Sequence, residues 1–244
     1  MPMNSLCDAI DAVERRRSNL TVYTTDDHVA GELREQFSTV NVDVVHNPVT
    51  GLREPGFVVV RGPDGAFRGA LGLDQFGAVL SPEIHPPWEL RDTGIETEDL
   101  FDFLENTLFA AYDRRQMLAT TREIEDRAWR VGDGRLYTGF QRKTPFLEQR
   151  DVYERLAGRG TLSITVFIDD DWDETVEDVA VVSEPGSELG DFWFVVFDGG
   201  NDERQCCALL AEERSEGRYY GFWTYESERV IELIDHLERT YDVP

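Results

Sequence analysis

The chain has 244 residues, 41% of them hydrophobic and 11% aromatic, which is enough to bury one large core or two small ones and excludes a disordered protein. Its 49 Asp and Glu residues outnumber its 24 Lys and Arg residues and give a formal net charge of -25. Because the acidic residues are spread along the whole chain, we interpret them as a solvated surface, in preference to a mimic of nucleic acid or a surface that binds nucleic acid.

The basic residues are almost all arginine, and Lys143 is the only lysine. An arginine-rich basic set on a strongly acidic surface is typical of proteins from salt-loving archaea, because molar salt shortens the Debye length to about 3 Å and screens the repulsion between charges. No run approaches the roughly 18 apolar residues of a membrane helix, and the first residues lack the pattern of a secretory signal. We therefore expect a halophilic, cytoplasmic protein with no membrane partner.

Residues 1–80 are predicted to form an N-terminal α/β half. Apolar residues recur at helical spacing in its two helices, and short valine-rich runs indicate its strands. The sequence Pro63-Asp64-Gly65 predicts the turn of a β-hairpin. The predicted elements are a helix carrying Leu6, Ala9, Ile10 and Val13, a strand over 20–24, a helix carrying Ala30, Leu33 and Phe37, a strand over 40–45 and a hairpin over 57–73.

Residues 81–96 contain Pro82, Pro86 and Pro87 and are predicted to be a linker, because proline disrupts regular structure. Residues 97–131 are predicted to form a long central helical segment that ends at Gly132. We expect its apolar stripe to pack on its own domain, and the alternative is the seam of a homodimer. The stripe consists of Phe101, Leu104, Leu108, Ala111 and Tyr112, followed by Met117, Ile124, Ala128 and Val131.

Residues 132–244 are predicted to form a C-terminal α/β half. Each half contains, in the same order, a helix, two strands and a hairpin, with 162–168 matching 20–24 and 179–182 matching 40–45. The sequence therefore predicts an α/β fold of mixed sheets with flanking helices, built from two related halves joined by a central long helix. The elements of the second half are strands over 136–141, 162–168, 179–182 and 219–224, a helix over 144–157, a hairpin over 193–211 and a helix carrying Val230, Ile231, Ile234 and Leu237.

Several segments of the second half resemble those of a known family. They are residues 135–142 (Arg-Leu-Tyr-Thr-Gly-Phe-Gln-Arg), a helix with Tyr153, Leu156 and Ala157, the strand over 163–167, and residues 207–212 and 221–230. With these segments the chain resembles the DICT sensory domain family, which is named for its occurrence with diguanylate cyclases and two-component systems. The resemblance implies sensing or signal relay without catalysis. Because no kinase, cyclase or DNA-binding segment is recognised in the sequence, we also expect a separate signalling partner, such as a histidine kinase or a transcription regulator.

No catalytic or metal site is predicted, and the sequence does not name a cofactor. Residues 169–171 are aspartates after a strand, as in phosphoreceiver domains that hold Mg²⁺, but the only lysine lies in another segment and the acidic run continues. We interpret this run as a solvated loop. The glycines within 132–134 and 198–200 lack the spacing of a phosphate-binding loop, and the histidines show no metal-ligand spacing. Cys7, Cys206 and Cys207 are predicted core residues, the adjacent pair facing opposite sides of a sheet.

A ligand pocket is predicted near the sheet, because pockets combine apolar walls with a few convergent polar groups. In the alternative interpretation, the aromatic side chains are core residues and Arg142 is a surface charge. The candidate ligand-binding residues are Trp88, Tyr137, Phe140, Gln141, Arg142 and Trp223.

The predicted function is a sensory and signal-transduction module that binds a small ligand or a signalling partner in trans. One alternative is an enzyme with an unidentified substrate, which would bring His46, His85 and the Asp169 cluster together in a cleft. The other alternative is a structural dimer or adaptor that is built through the central helix.

Overall fold

The structure, a computed structural model, describes residues 3–38, 41–49, 56–74, 106–112 and 114–243. The chain divides into two compact units, a large unit made of Met1–Val13 and Asn106–Pro244 and a small unit made of Glu14–Glu105. The first helix, α1 (Leu6–Arg15), begins in the large unit. Residues 3–13 therefore join the C-terminal part of the chain, whereas the sequence predicts that they belong to an N-terminal half.

The elements of the small unit are β1 (Ser18–Thr24), α2 (Asp27–Gln36), β2 (Val42–Pro48), β3 (Phe57–Arg61) and β4 (Phe67–Gly72). They form a four-stranded mixed sheet with the strand order β2-β1-β3-β4. β1 and β2 are parallel and α2 connects them, whereas β3 and β4 form an antiparallel hairpin beside β1. Ala30 and Leu33 of α2 pack against the sheet in one core with Leu20, Val22 and Val58.

The large unit has a seven-stranded mixed sheet and, among the described residues, all helices except α2. After α1, its elements are β5 (Asn106–Tyr112), α3 (Arg114–Val131), β6 (Asp133–Phe140), α4 (Lys143–Leu147), α5 (Arg150–Ala157), β7 (Thr161–Ile168), β8 (Val179–Ser183), β9 (Phe192–Phe197), β10 (Cys207–Ser215), β11 (Arg218–Thr224) and α6 (Ser227–Thr240). The strand order is β5-β11-β10-β9-β6-β7-β8. β6, β7 and β8 are parallel, and every other neighbouring pair is antiparallel.

Helices cover both faces of this sheet. Leu6 and Ile10 of α1 pack with α6 in one core cluster on the first face. Met117 and Ile124 of α3 pack with α4 and α5 in a second cluster on the other face. The adjacent cysteines confirm the predicted alternation, because Cys206 lies in the first cluster and Cys207 in the second. The result is a sheet between two helical layers, so the predicted α/β fold of mixed sheets with flanking helices is confirmed.

The predicted central helix is wrong in part. Its second half is α3, which ends at Gly132, a residue with a positive φ of 66° that favours glycine. Residues 106–112 are instead the edge strand β5, paired antiparallel with β11. A short apolar run fits a strand as well as a helix, and pairing with an available strand edge decides between the two. The linker prediction for 81–96 and the helix prediction for 97–105 lie outside the described residues.

The two units share a strand topology. In the small unit, a strand, a helix, a parallel strand and an antiparallel hairpin give the order β2-β1-β3-β4; in the large unit, the same sequence of elements gives β7-β6-β9-β10. Both predicted hairpins are confirmed. The predicted correspondence between the strands of the two halves is shifted by one strand. In the structure, β6 corresponds to β1 and β7 to β2, and β8 is an additional strand at the edge of the large sheet.

Candidate functional site

Tyr137 of β6 faces the layer of α1 and α6. Its hydroxyl donates a hydrogen bond to Oε1 of Glu238 at 2.7 Å, and Nη1 of Arg135 donates to the same oxygen at 2.6 Å. Burial and the hydrogen bond to Glu238 raise the pKa of Tyr137 to about 12. Tyr137 thus anchors α6 to the sheet.

Phe140 faces the opposite layer. Its ring lies 5.4 Å from that of Phe146 and 5.6 Å from that of Tyr153, in the core beneath α4 and α5. Tyr137 and Phe140 are separated by three positions along one strand, and side chains an odd number of positions apart lie on opposite faces of a sheet. The structure therefore does not bring these two predicted residues into one pocket.

Gln141 and Arg142 follow β6 and make separate polar contacts. Nε2 of Gln141 donates to Oε2 of Glu213 at 2.9 Å. Nη1 of Arg142 donates to Oδ2 of Asp169 at 3.0 Å, although the Arg142 side chain is 61% exposed. At the end of β6, Gln141 therefore makes a local hydrogen bond and Arg142 a local ion pair.

Asp169 organises the loop after β8. Its Oδ1 accepts hydrogen bonds from the backbone N–H groups of Gly186 and Ser187, and the residue is only 9% exposed. The interpretation of the acidic run as a solvated loop is correct for Asp171 and Asp173, which are exposed, but wrong for Asp169. Within the part of the chain that the structure describes, no group of three His, Cys, Asp or Glu residues is arranged to hold a metal ion.

Trp223 lines a cavity of about 250 Å³ between α3 and the strands β10 and β11, which we call the α3 cavity. Trp88 lies outside the described residues. A second site is a wide, open surface groove lined mainly by polar residues such as Asp133 and Asn201, and none of the predicted residues lines it. The α3 cavity is lined by Ala119, Thr120, Glu123, Ile124, Cys207, Ala208, Trp223, Thr224 and Tyr225.

Arg127 of α3 contacts two of the residues that line the α3 cavity, Glu123 and Tyr225. Nη2 of Arg127 lies 3.4 Å from Oε1 of Glu123, and the guanidinium stacks over the ring of Tyr225 at 5.0 Å. Burial raises the pKa of the Cys207 thiol to about 12, with Arg127 acting in the opposite direction. The thiol is therefore neutral. The Nε of Arg127 is buried and has no hydrogen-bond partner among the described residues.

A buried polar network that the sequence analysis missed joins α3 to α5 and β6. The Tyr153 hydroxyl donates to Oε1 of Glu125 at 2.5 Å, Arg122 pairs with Oε2 of Glu125, and Oγ1 of Thr138 lies 3.3 Å from the Tyr153 hydroxyl. Glu125 is 3% exposed, and burial raises its pKa, while Tyr153 and Arg122 lower it. Helical spacing could have indicated that Glu125 is buried, because Glu125 lies one turn after Thr121 and shares the buried face of α3.

The residues proposed for a catalytic cleft are distributed over the chain. His46 lies in the small unit, where its Nδ1 is 2.8 Å from Oδ1 of Asp27 and its Nε2 is 3.0 Å from the carbonyl oxygen of Thr24. Asp169 lies in the large unit, and His85 lies outside the described residues. His46 and Asp169 each have local partners of their own.

One family model matches the chain. The DICT family, described as a sensory domain in diguanylate cyclases and two-component systems, matches residues 99–214, just under half of the chain. This match confirms the predicted resemblance over that segment and supports a sensory role. No curated protein and no solved structure matches the chain. Among the described residues, no helix has the length and apolar character needed to cross a membrane.

Proposed function

We propose, on the premise that residues 99–214 belong to the DICT family of sensory domains, that the chain is a sensory module that acts by binding and not by catalysis. It binds a small ligand in the α3 cavity. The observation that carries this proposal is that the family match coincides with the cavity. Six of the nine lining residues lie within the matched segment. They are Ala119, Thr120, Glu123 and Ile124 on α3, and Cys207 and Ala208 on β10.

The helix α3 is the element that would report ligand binding. It supplies one wall of the α3 cavity and also packs on β6, β9, β10 and β11. Nε1 of Trp193 on β9 donates to Oγ1 of Thr121 at 3.1 Å, which ties the helix to the sheet beside the cavity. A ligand that binds more tightly when α3 is in one position increases the population of that position, to an extent set by the ratio of its affinities for the two positions.

The output is proposed to pass to a separate signalling protein, a histidine kinase or a transcription regulator. The outer side of α3 offers an exposed charged surface for such a partner, or for a second copy of this chain, with Arg122, Asp126 and Arg130. We further propose that this exchange takes place in the cytoplasm of a salt-loving archaeon. The net charge of -25 and the single lysine support this habitat.

Affinity capture from a high-salt cytoplasm, followed by mass spectrometry of proteins and small molecules, tests the proposal. The tagged chain is compared with Ala119→Trp, which places a bulky side chain where the α3 cavity opens to solvent and is expected to obstruct it. We expect a small molecule to be enriched with the wild-type chain and lost with the variant, together with a kinase or transcription regulator. Enrichment of neither kind of molecule would contradict the proposal, and conversion of a captured metabolite by the purified chain would replace it with an enzymatic function.

A further inference from the structure

The wall of the α3 cavity has a buried part and an exposed part. The buried lining residues, which we call the floor, are Thr120, Ile124, Cys207, Ala208 and Thr224. The exposed lining residues, which we call the mouth, are Ala119, Glu123 and Tyr225. A molecule in the α3 cavity therefore has one end against the buried floor and its other end at the solvent.

The polar groups of the floor already have partners within the protein. Oγ1 of Thr120 donates to the carbonyl oxygen of Gln116 at 3.2 Å, and Oγ1 of Thr224 accepts from the backbone N–H of Glu226 at 3.1 Å. No buried side-chain nitrogen or oxygen of the floor residues lacks a hydrogen-bond partner. The Cys207 thiol is neutral and only a weak hydrogen-bond donor. The floor thus has no hydrogen-bonding need for a ligand to meet.

The floor favours an apolar group over a polar one. A hydroxyl that reached it would exchange water for groups that are already paired, which costs free energy, whereas the burial of a methyl group is favourable. Ile124 and Ala208 add apolar surface, and both are at most 3% exposed. The floor therefore selects the apolar end of a ligand.

The mouth suits an uncharged polar group. Oε1 of Glu123 lies 3.4 Å from Nη2 of Arg127 and 3.9 Å from Nη2 of Arg130, and Arg130 also pairs with Asp126. Two carboxylates and two guanidinium groups therefore balance one another beside the mouth. The Glu123 side chain is 48% exposed, so a polar group of the ligand at this end keeps its hydrogen bonds to water.

The volume of the α3 cavity suits a single ring with a few additional atoms. It is about 250 Å³, and an engineered cavity of about 150 Å³ is large enough to bind benzene. We propose that the α3 cavity binds a small, uncharged molecule of one ring, with its apolar end on the floor and a single polar group at the mouth. This inference rests on the proposed function, since it specifies the class and the orientation of the ligand in the same cavity.

Two probes of the same shape test which group the floor accepts. In p-cresol a methyl group lies opposite the hydroxyl, and in hydroquinone a second hydroxyl replaces that methyl group. The hydroxyl of p-cresol can stay at the mouth, whereas hydroquinone must place one hydroxyl on the floor. Ligand-observed NMR on the purified full chain in molar KCl, under argon to prevent oxidation of hydroquinone, measures the dissociation constants. We expect p-cresol to bind at least about tenfold more tightly than hydroquinone.

The variant Cys207→Ser places a hydroxyl on the floor. This hydroxyl offers hydroquinone a partner, so we expect the preference for p-cresol over hydroquinone to fall by about threefold or more. Cys206→Ser is the matched control and should leave the preference unchanged, because Cys206 packs in the core on the opposite face of the sheet and does not line the α3 cavity. Should Cys207→Ser fail to fold, as judged by circular dichroism, the probe pair on the wild-type chain decides the question.

The outcomes separate this inference from the proposed function. Equal binding of p-cresol and hydroquinone, or an equal change of preference in the two cysteine variants, would overturn the ligand chemistry while leaving a ligand-binding cavity in place. Absence of binding for both probes would overturn the ligand chemistry too. The proposed function itself would fail only if the capture experiment also recovered no small molecule that depends on the α3 cavity.

Discussion

Glu125 lies in the apolar core beneath α3, where an ionised carboxylate is costly unless hydrogen bonds and a charge partner compensate it. Tyr153 and Arg122 supply these, but burial still raises the pKa of Glu125 above its usual value of 4.5. The native state therefore binds more protons than the unfolded state above about this pH. The contribution of Glu125 to stability is present at acidic pH and is lost as the pH rises through its raised pKa.

The variant Glu125→Gln removes this titration. We expect the difference in unfolding free energy between the wild-type chain and the variant to fall as the pH rises from 4.5, by about 1.4 kcal/mol for each unit by which the native pKa is raised. Chemical denaturation of both proteins in molar KCl at several pH values between 4.5 and 8 measures this difference in unfolding free energy. A difference that is independent of pH would show that Glu125 titrates as it does in the unfolded chain.

Asp169 offers a second prediction for a single side chain. Asp169→Asn removes the charge that receives the hydrogen bonds of Arg142 and of two backbone N–H groups in the loop after β8. We expect a loss of about 1–3 kcal/mol in unfolding free energy, since these bonds are charge-assisted and Asp169 is buried. Denaturant unfolding measures it. Asp171→Asn is the control: its side chain is exposed, and we expect a change within about 0.5 kcal/mol. Equal effects of the two substitutions would contradict this assignment.

At the scale of residues, the sequence predicted burial from apolar character better than it predicted polar contacts. The opposite orientation of Cys206 and Cys207 followed from the two-residue period of an extended chain and is confirmed. The burial of Asp169 was missed, because its neighbours in the acidic run are exposed and the chain that covers it follows β8. Of the predicted pocket residues in the described part of the chain, only Trp223 lines the α3 cavity. The sequence does not show which helix covers which face of β6, and Tyr137 and Phe140 lie in the cores on opposite faces.

At the scale of elements, local patterns predicted the hairpins but not the pairing of strands. The hairpins are confirmed because a turn sequence joins adjacent strands. The match between the two units was shifted by one strand, because β6 and β7 are both short apolar runs and only their pairing shows which one corresponds to β1. β5 was assigned to a helix for the same reason, since its partner β11 is more than 100 positions away in the sequence.

The helices α1 and α6 are joined through one carboxylate, which gives a prediction at this scale. Oε2 of Glu188 accepts from the backbone N–H of Leu6 at 2.9 Å at the start of α1, and Oε1 lies 3.1 Å from Nε2 of His236 on α6. His236 is 2% exposed. We expect Glu188→Ala to lower the unfolding free energy by about 1–3 kcal/mol, because it leaves a buried ring nitrogen without this partner and the helix start without its acceptor.

Hydrogen exchange of the α1 amides measures the same effect locally. Their protection should fall in Glu188→Ala and stay unchanged in Glu184→Ala, a control in the same loop with an exposed side chain. Unchanged protection of α1 in Glu188→Ala would mean that apolar packing alone fixes the helix on the sheet.

At the scale of the whole molecule, one strand topology is used in two different settings. In the large unit, three further strands extend the shared four-stranded arrangement, and helices cover both of its faces. In the small unit, α2 is the helix that packs on the four strands among the described residues. The larger apolar core and the α3 cavity both belong to the large unit. The proposed binding site therefore lies in the large unit, and the small unit has a core cluster of its own.

Separate cores predict separate unfolding. Ile10 on α1 and Leu20 on β1 are both fully buried, and they lie in the cores of the large and the small unit, respectively. Each substitution to alanine should cost about 2–5 kcal/mol in its own unit, because it removes buried methyl groups and leaves a cavity. We expect Ile10→Ala to lower the hydrogen-exchange protection of β9 and β10 without affecting β1 and β3, and Leu20→Ala to do the reverse. If either substitution lowered protection in both units equally, the chain would unfold as one cooperative body, and a ligand bound beneath α3 would stabilise the small unit as much as the large one.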